Sequence, residues 1–290
     1  MSGWRVLDLK PLDQGGFGDV YLGRRSDTGE QVVVKFLRES GLHQARKLFE
    51  REIRVLGRRV HHRIVELLGF NLNAERPYYI MPYVSGGSIL SRAGCLSSWE
   101  LQTIAMQLSE AIEALHREEI AHGDIKPDNV LLDGHEPVLT DPMGNGAGCT
   151  LSLHTQWGGT PGYWAPEVER GGSISKAADV YSFGATMFHL ATGVRPHDGM
   201  NLDIHTGRPE DEVLRQVILA ACKEAPEDRP SISQLRGMLM GMVAGQGVVF
   251  AAEAAVNYFS TPRGQEVGKV LLGVGAVLLV TAGIAAVMRS

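Results

Sequence analysis

The alternation of apolar and polar residues predicts a sheet in the first part of the chain. Period-two or apolar runs separated by Gly-rich or Asp/Thr/Gly turns predict strands at 5–12, 20–24, 31–37, 65–70 and 78–82. Between the third and fourth of these runs, residues 42–56 repeat with the period of a helix. Leu42, Leu48, Phe49, Ile53 and Leu56 fall on one face of that helix, which predicts an amphipathic helix.

The pattern becomes helical after the Gly-Gly pair at 86–87. Ser97 and Glu100 have the spacing of a capping box ahead of a long amphipathic segment, which predicts a helix to about residue 117. A second helix is predicted at 176–192, ended by Gly193, because glycine readily adopts the left-handed conformation of a helix C-terminus.

These elements predict an α+β protein with two lobes. The N-terminal lobe, about 5–84, is small and β-rich, whereas the C-terminal lobe, about 85–239, is larger and helical. A ligand cleft is expected between them. The chain has 290 residues, of which 44% are hydrophobic and 21% charged, and this composition excludes a disordered protein.

The net charge of −5 gives no electrostatic basis for nucleic-acid binding, so no nucleic-acid partner is expected. The three cysteines are scattered, without Cys-x-x-Cys spacing. Their spacing argues against a disulfide framework or a zinc site, and favours a reducing compartment.

The C-terminal tail has the composition of a membrane anchor. Residues 270–288 are 19 residues without a charge, about 28 Å of helix, which predicts a transmembrane helix rather than a buried core helix. Residues 240–269 are interpreted as a juxtamembrane segment, although 238–259 is apolar enough for a second, weaker membrane helix. Because residues 1–10 contain no signal-peptide pattern, we expect a single-pass membrane protein with its main domain in the cytoplasm. The Gly/Ala-rich tail could also mediate a homodimer.

The first candidate chemistry lies between two predicted strands. Gly15, Gly16 and Gly18 there allow the backbone to close over phosphates without side-chain clashes. A strand–loop–strand context argues against a dinucleotide or Walker loop, because each of those opens a helix. Lys35 follows on an apolar strand, and Glu52 on the next helix is its candidate ion-pair partner.

A second group of polar residues surrounds the segment His-Gly-Asp-Ile-Lys-Pro-Asp-Asn at 122–129. Asp124 and Asn129, five residues apart in a loop before an apolar strand, can face one pocket. There a carboxylate can accept a hydroxyl proton while an amide oxygen ligates Mg²⁺. Asp141 ends the next predicted strand, 137–140, and is a second hard oxygen ligand.

The chain order is a Gly-rich loop, a strand lysine, a helix glutamate, the loop at 122–129 and Asp141. This order of motifs resembles that of the eukaryotic-type serine/threonine protein kinases. Three further segments strengthen the resemblance: Gly-Thr-Pro-Gly-Tyr-Trp-Ala-Pro-Glu at 159–167, Asp-Val-Tyr-Ser-Phe-Gly at 179–184 and Asp-Arg-Pro at 228–230. The resemblance covers about residues 5–239 and implies a bilobal kinase fold. It also implies transfer of the γ-phosphoryl group of ATP to serine or threonine hydroxyls of protein substrates, with Mg²⁺ as a second cofactor.

The resemblance also assigns roles by position. Asp124 would be the catalytic base, Lys126 would steady the transferred phosphoryl group, and Lys35 with Glu52 would anchor the phosphates. Asn129 and Asp141 would be the Mg²⁺ ligands. The remaining ATP-binding residues it implies are Leu12, Gly15, Gly16, Phe17, Gly18, Val20, Val33, Met81, Tyr83, Val84 and Leu131.

Three departures from the family pattern leave alternatives open. Asp13 replaces the first glycine of the loop, Pro142 and Met143 stand where an aromatic residue usually follows Asp141, and Gly123 replaces a common arginine. An active kinase is the favoured hypothesis, because the catalytic polar residues are retained. A pseudokinase that acts as a membrane-anchored binding scaffold is the alternative. A small-molecule phosphotransferase of the aminoglycoside type is a remote one.

Overall fold

A computed structural model describes residues 4–14, 18–38, 43–144, 161–197, 199–208 and 211–241. Gly15, Gly16 and Phe17 therefore lie outside the described residues, as do the predicted transmembrane helix at 270–288 and nearly all of the predicted juxtamembrane segment. Among the helices that the structure describes, none has the length and apolar character needed to cross a bilayer. The chain divides into two compact units, Met1–Leu239 and Met240–Ser290.

The first unit begins with a five-stranded antiparallel sheet, which has the order β1-β2-β3-β5-β4. Its strands are β1 Val6–Gln14, β2 Gly18–Arg25, β3 Gln31–Leu37, β4 Gly69–Asn71 and β5 Tyr78–Pro82. Helix α1, His43–Leu56, follows β3 as predicted. Phe49, Ile53 and Leu56 are buried in the core, which confirms the predicted apolar face.

The predicted strand at 65–70 is largely wrong, because ladder pairing is confined to β4, Gly69–Asn71. The apolar residues before β4 pack in the core instead, with Val65 4% and Leu67 8% exposed. The backbone N–H of Val65 donates to the carbonyl of Leu139 at 2.9 Å. An apolar run therefore signalled burial correctly here but not participation in a sheet.

The C-terminal part is helical. Its helices are α2 Ser98–Arg117, α3 Pro166–Glu169, α4 Lys176–Thr192 and α5 Glu212–Ala221, with further helical residues at 232–241. The predicted capping box is present, because Ser97 accepts from the N–H of Glu100 while the Glu100 carboxylate accepts from that of Ser97. Gly193 ends α4 with a φ of 72°, as predicted.

Helix α5 was not predicted, although Leu214, Val217, Ile218 and Ala221 are buried on one face of it. The arrangement of a β-sheet lobe followed by a helical lobe confirms the predicted bilobal class.

A two-stranded antiparallel hairpin, β6 Val130–Asp133 and β7 Glu136–Leu139, lies beside the segment that joins the lobes. The N–H of Gly86 donates to the carbonyl of Leu132 at 3.1 Å, and the N–H of Leu132 donates to that of Gly87 at 2.9 Å. A Cβ atom at Gly86 would lie 2.2 Å from the Leu132 carbonyl oxygen, so this approach requires glycine. The contact fixes the inter-lobe segment against β6, the strand that follows the loop containing Asp124.

Candidate active site

A buried cluster of charges joins the sheet, helix α1 and the segment after β7. Nζ of Lys35 lies 2.8 Å from Oε1 of Glu52 and 2.7 Å from Oδ1 of Asp141. Lys35 and Glu52 are each 5% exposed. The structure therefore shows the expected contact of Lys35 with Glu52 and adds Asp141 to it.

The electrostatics of this cluster favour a lysinium cation between two carboxyl groups. Burial acts against the charge on Lys35, but Asp141 and Glu52 together raise its pKa above the ordinary value. Burial also opposes the charge on Asp141, yet Lys35 holds the pKa of Asp141 well below its usual range. For Glu52 burial prevails, reinforced by the nearby Asp141, and raises its pKa. Asp141 is thus ionised at neutral pH, as a metal ligand requires.

Tyr79 completes this cluster, although it stands in none of the sequence motifs. Its hydroxyl donates to Oε1 of Glu52 at 2.7 Å, and its side chain is fully buried. Lys35 and Tyr79 are Cα partners across β3 and β5, which puts their side chains on the same face of the sheet. Strand register is the signal that identifies Tyr79, and it exists only once the strands are paired.

A second cluster surrounds Asp124 in the loop before β6. Nζ of Lys126 lies 2.9 and 3.1 Å from the two carboxylate oxygens of Asp124. Nδ2 of Asn129 donates to Oδ2 of Asp124 at 2.7 Å and to its backbone carbonyl at 2.8 Å. The Asn129 amide is thereby oriented with its nitrogen, and not its oxygen, toward Asp124.

The backbone of this loop is held by Asp179 of α4, which is fully buried. Its carboxylate accepts from the N–H groups of His122 and Gly123 at 2.7 and 2.8 Å, and it lies 2.8 Å from Nε2 of His116. Asp179 begins the motif at 179–184, but the motif alone does not indicate what this side chain does. In the structure it fixes the position of the loop that carries Asp124.

His122 links the loop to the residue before Asp141. Burial lowers the pKa of His122, so the ring is neutral at pH 7. Nδ1 accepts from the N–H of Asp124 at 3.2 Å, and the partner of Nε2 is the carbonyl of Thr140 at 3.1 Å. Because a carbonyl only accepts, we assign the proton to Nε2.

The segment after Asp141 lacks the aromatic residue expected there, and Met143 occupies a buried position in it. The N–H of Met143 donates to the carbonyl of His122 at 2.7 Å, and its side chain packs in a cluster with Leu48, Ala121 and Ile174. Asp141 has a φ of 58°, a left-handed conformation that Asp adopts more readily than most residues. In this conformation the Asp141 carboxylate contacts Lys35.

The remaining residues expected to bind ATP lie on β1, β2, β3, β5 and β6, or directly after β5. Val33 and Met81 are in the main core cluster, with Val20 and Tyr83 packed against it. Leu131 and Val84 are half-buried, and Leu12 is 45% exposed on β1. Gly18 begins β2, and a Cβ atom there would lie 2.5 Å from the Phe36 carbonyl oxygen. Asp13 is exposed on β1.

An ion pair in the C-terminal lobe joins Glu167 and Arg229. The two Nη atoms of Arg229 each lie 2.7 Å from a carboxylate oxygen of Glu167. The Arg229 side chain is fully buried, and it also donates to the carbonyls of Ala177, Lys223 and Glu224. This pair connects the start of α3 to the chain that follows α5.

Comparison with known proteins agrees with this geometry. Residues 7–242 match the protein kinase domain family. The chain therefore belongs to the eukaryotic-type serine/threonine protein kinase family, as the resemblance predicted.

Three relatives illustrate the match. Receptor-like kinase LIP2 of Arabidopsis thaliana is 35% identical over 217 residues, which are 69% of this chain and 38% of that protein. Serine/threonine-protein kinase Pkn1 of Myxococcus xanthus is 31% identical over 264 residues, 81% of this chain and 38% of that protein. Serine/threonine-protein kinase PknK of Mycobacterium bovis is 37% identical over 193 residues, 64% of this chain and 17% of that protein. The chain thus spans less than half the length of these relatives.

Proposed function

We propose that this protein transfers the γ-phosphoryl group of ATP to serine or threonine hydroxyls of protein substrates. The observation that carries the proposal is the contact of Lys35 with both Glu52 and Asp141. This contact brings together the ammonium group of Lys35 on β3, its partner Glu52 on α1 and the carboxylate of Asp141. Phosphoryl transfer needs this combination, because catalysis consists mainly of positioning and charge stabilisation.

In this proposal Lys35 binds the α- and β-phosphates while Glu52 keeps the ammonium group in place. The adenine ring lies against Val20, Val33 and Leu131, and its edge meets the backbone of 81–84. The Gly-rich segment between β1 and β2 covers the phosphates.

Magnesium fits the donor set that this chain offers. Asp141 supplies an ionised carboxylate and Asn129 an amide oxygen, and Mg²⁺ prefers hard oxygen ligands of this kind. Within the described residues there is no group of three or more His, Cys, Asp or Glu side chains suited to a metal, so phosphate oxygens and water would complete the coordination. The bound ion would neutralise charge on the phosphates.

Asp124 acts as the base. As the substrate oxygen bonds to the γ-phosphorus, its hydroxyl proton passes to the Asp124 carboxylate, and the bond from phosphorus to the β–γ bridging oxygen breaks, which leaves ADP. Lys126, next to Asp124, stabilises the negative charge of the transferred phosphoryl group. Asn129 holds the orientation of the Asp124 carboxylate through its amide N–H.

The Arg229–Glu167 pair supports a protein rather than a small-molecule substrate. The pair holds the start of α3 in place, and in this proposal the segment before α3 forms a surface that binds an extended peptide. This is the feature that disfavours the aminoglycoside-type alternative.

We also propose that residues 270–288 anchor the protein in a membrane, with the kinase domain in the cytoplasm and the Gly/Ala-rich tail as a candidate dimer contact. The support is the uncharged length of the segment. Membrane fractionation tests the anchor: the full chain should resist extraction with alkaline carbonate, and a chain ending at residue 269 should be released. Release of both would overturn the anchor.

Autophosphorylation tests the catalytic proposal directly. The full chain is incubated with Mg²⁺ and γ-labelled ATP beside the variants Asp124→Asn and Lys35→Met. Label in the wild type alone, recovered as phosphoserine or phosphothreonine, is the expected result. No label in any of the three, together with a nucleotide-dependent rise in the wild-type melting temperature, would overturn it in favour of a pseudokinase.

A further inference from the structure

Tyr79 makes two separate contacts with helix α1 from the sheet. Its ring packs against that of Phe49 with centroids 5.3 Å apart, and its hydroxyl donates to Oε1 of Glu52 at 2.7 Å. Phe49 and Glu52 are three residues apart, so they lie on the same face of α1. One side chain of β5 therefore reaches both an apolar and a charged residue of the helix.

The same carboxylate oxygen of Glu52 accepts from Nζ of Lys35 at 2.8 Å. Lys35 is shared with Asp141, and in the proposed reaction it must also bind phosphates. Lys35 therefore divides its contacts among Glu52, Asp141 and, in the proposed reaction, the phosphates. The Tyr79 hydroxyl is neutral and is held by a fully buried ring, so its bond to Glu52 does not depend on where the lysine points.

We propose that Tyr79 is a positioning residue, whose hydroxyl keeps Glu52 and helix α1 against the sheet while Lys35 engages the nucleotide. This inference rests on the proposed roles of Lys35 and Glu52 in phosphate binding. The Tyr79 hydroxyl also lies 3.5 Å from Oδ1 of Asp141, a much longer contact than its 2.7 Å bond to Glu52, so its action is assigned to Glu52. Its effect is to maintain the arrangement of α1 in which the phosphate-binding lysine has its partner.

Substitution of Tyr79 by Phe isolates this function, because it removes the hydroxyl and keeps the ring that packs on Phe49. The loss removes one of the two donors that the buried Oε1 of Glu52 has, and we expect it to lower kcat/KM for ATP about tenfold. The matched control is Tyr78→Phe on the same strand. Tyr78 lies on the opposite face of the sheet and packs against Phe36, so this change should leave kcat/KM within about twofold of the wild type.

A double-mutant cycle with Glu52→Met, which leaves no acceptor for the Tyr79 hydroxyl, distinguishes positioning from a general structural effect. Kinetics with ATP varied and melting temperatures are measured for the wild type, Tyr79→Phe, Glu52→Met and the double variant. If Tyr79 acts through Glu52, its substitution costs about tenfold in the wild-type background and less than twofold in the Glu52→Met background. An equal loss in both backgrounds, or no loss in either, would overturn the inference.

Failure of the proposed function is separable from failure of this inference. If the wild type transfers no phosphate, the proposed function fails. The role of Tyr79 is then decided by the dissociation constant for Mg·ATP, measured by calorimetry in the same four proteins. Mg·ATP binding about tenfold weaker in the single variant Tyr79→Phe than in the wild type supports the role. Binding equal to that of the wild type contradicts it.

Discussion

Nζ of Lys35 and Oδ1 of Asp141 lie 2.7 Å apart, although 106 residues separate them in the sequence. The contact joins β3 of the first lobe to the segment that follows β7. It places the anionic end of the proposed metal site next to the proposed phosphate anchor. The relationship explains why Asp141 is ionised although it is partly buried: Lys35 holds its pKa down.

Asp141→Asn should separate metal binding from folding. Asparagine also tolerates the left-handed φ of 58°, so the variant should fold. It lacks the anionic ligand, and we expect kcat to fall at least about 100-fold. The melting-temperature rise that Mg·ATP gives over ATP alone should vanish. A Mg²⁺-dependent rise equal to that of the wild type would contradict the assignment of Asp141 as a metal ligand.

Arg229→Ala should destabilise the domain strongly. The change removes a fully buried cation and leaves Glu167 and three backbone carbonyls without their donor. Removing one partner of such a pair costs about 3–5 kcal/mol in the free energy of unfolding. The control is Arg170→Ala, which breaks the exposed ion pair with Glu224 and should cost less than about 1 kcal/mol. Urea unfolding of both variants measures the difference, and equal losses would refute it.

Gly123→Ala should lower stability by about 1–2 kcal/mol. Gly123 has a φ of 84°, and a Cβ atom there would lie 2.9 Å from Cδ1 of Ile174. Gly123→Arg, which restores the residue common in the family, should lower stability by at least as much, since it adds the same Cβ. Melting curves test this expectation. A variant at this position that is as stable as the wild type would show that the loop relaxes around the added atom.

The capping box of α2 should make part of the stability depend on pH. The backbone N–H of Ser97, helped by Arg92, lowers the pKa of Glu100 to about 2. Its ordinary value is 4.5, so the stabilisation is present above about pH 4.5 and is lost as the pH falls toward 2. Glu100→Gln should therefore cost about 0.5–1 kcal/mol at pH 7 and progressively less below pH 4.5. Melting temperatures of the wild type and Glu100→Gln from pH 7 to 3 measure the difference in stability between them. A difference that stays constant over this pH range would contradict the expectation.

Much of the fold was predictable because its signals are local. Strand β3, strand β5 and helix α4 occur at the predicted residues, since alternation, apolar runs and capping residues act within a few positions. The strand predicted at 65–70 was largely wrong because its signal, an apolar run, does not specify strand pairing. Burial of Val65 and Leu67 against distant elements produces the same apolar run as a strand does.

The sequence by itself determined the polar residues of the site, because Lys35, Glu52, Asp124 and Asp141 stand in recognisable motifs. It also determined the two-lobe order of elements. Only the tertiary structure decided that Lys35 lies between Glu52 and Asp141, that Asp179 holds the Asp124 loop, and that Tyr79 bonds to Glu52. Those contacts depend on strand register and on the packing of helices across long sequence separations, and neither leaves a local pattern in the chain.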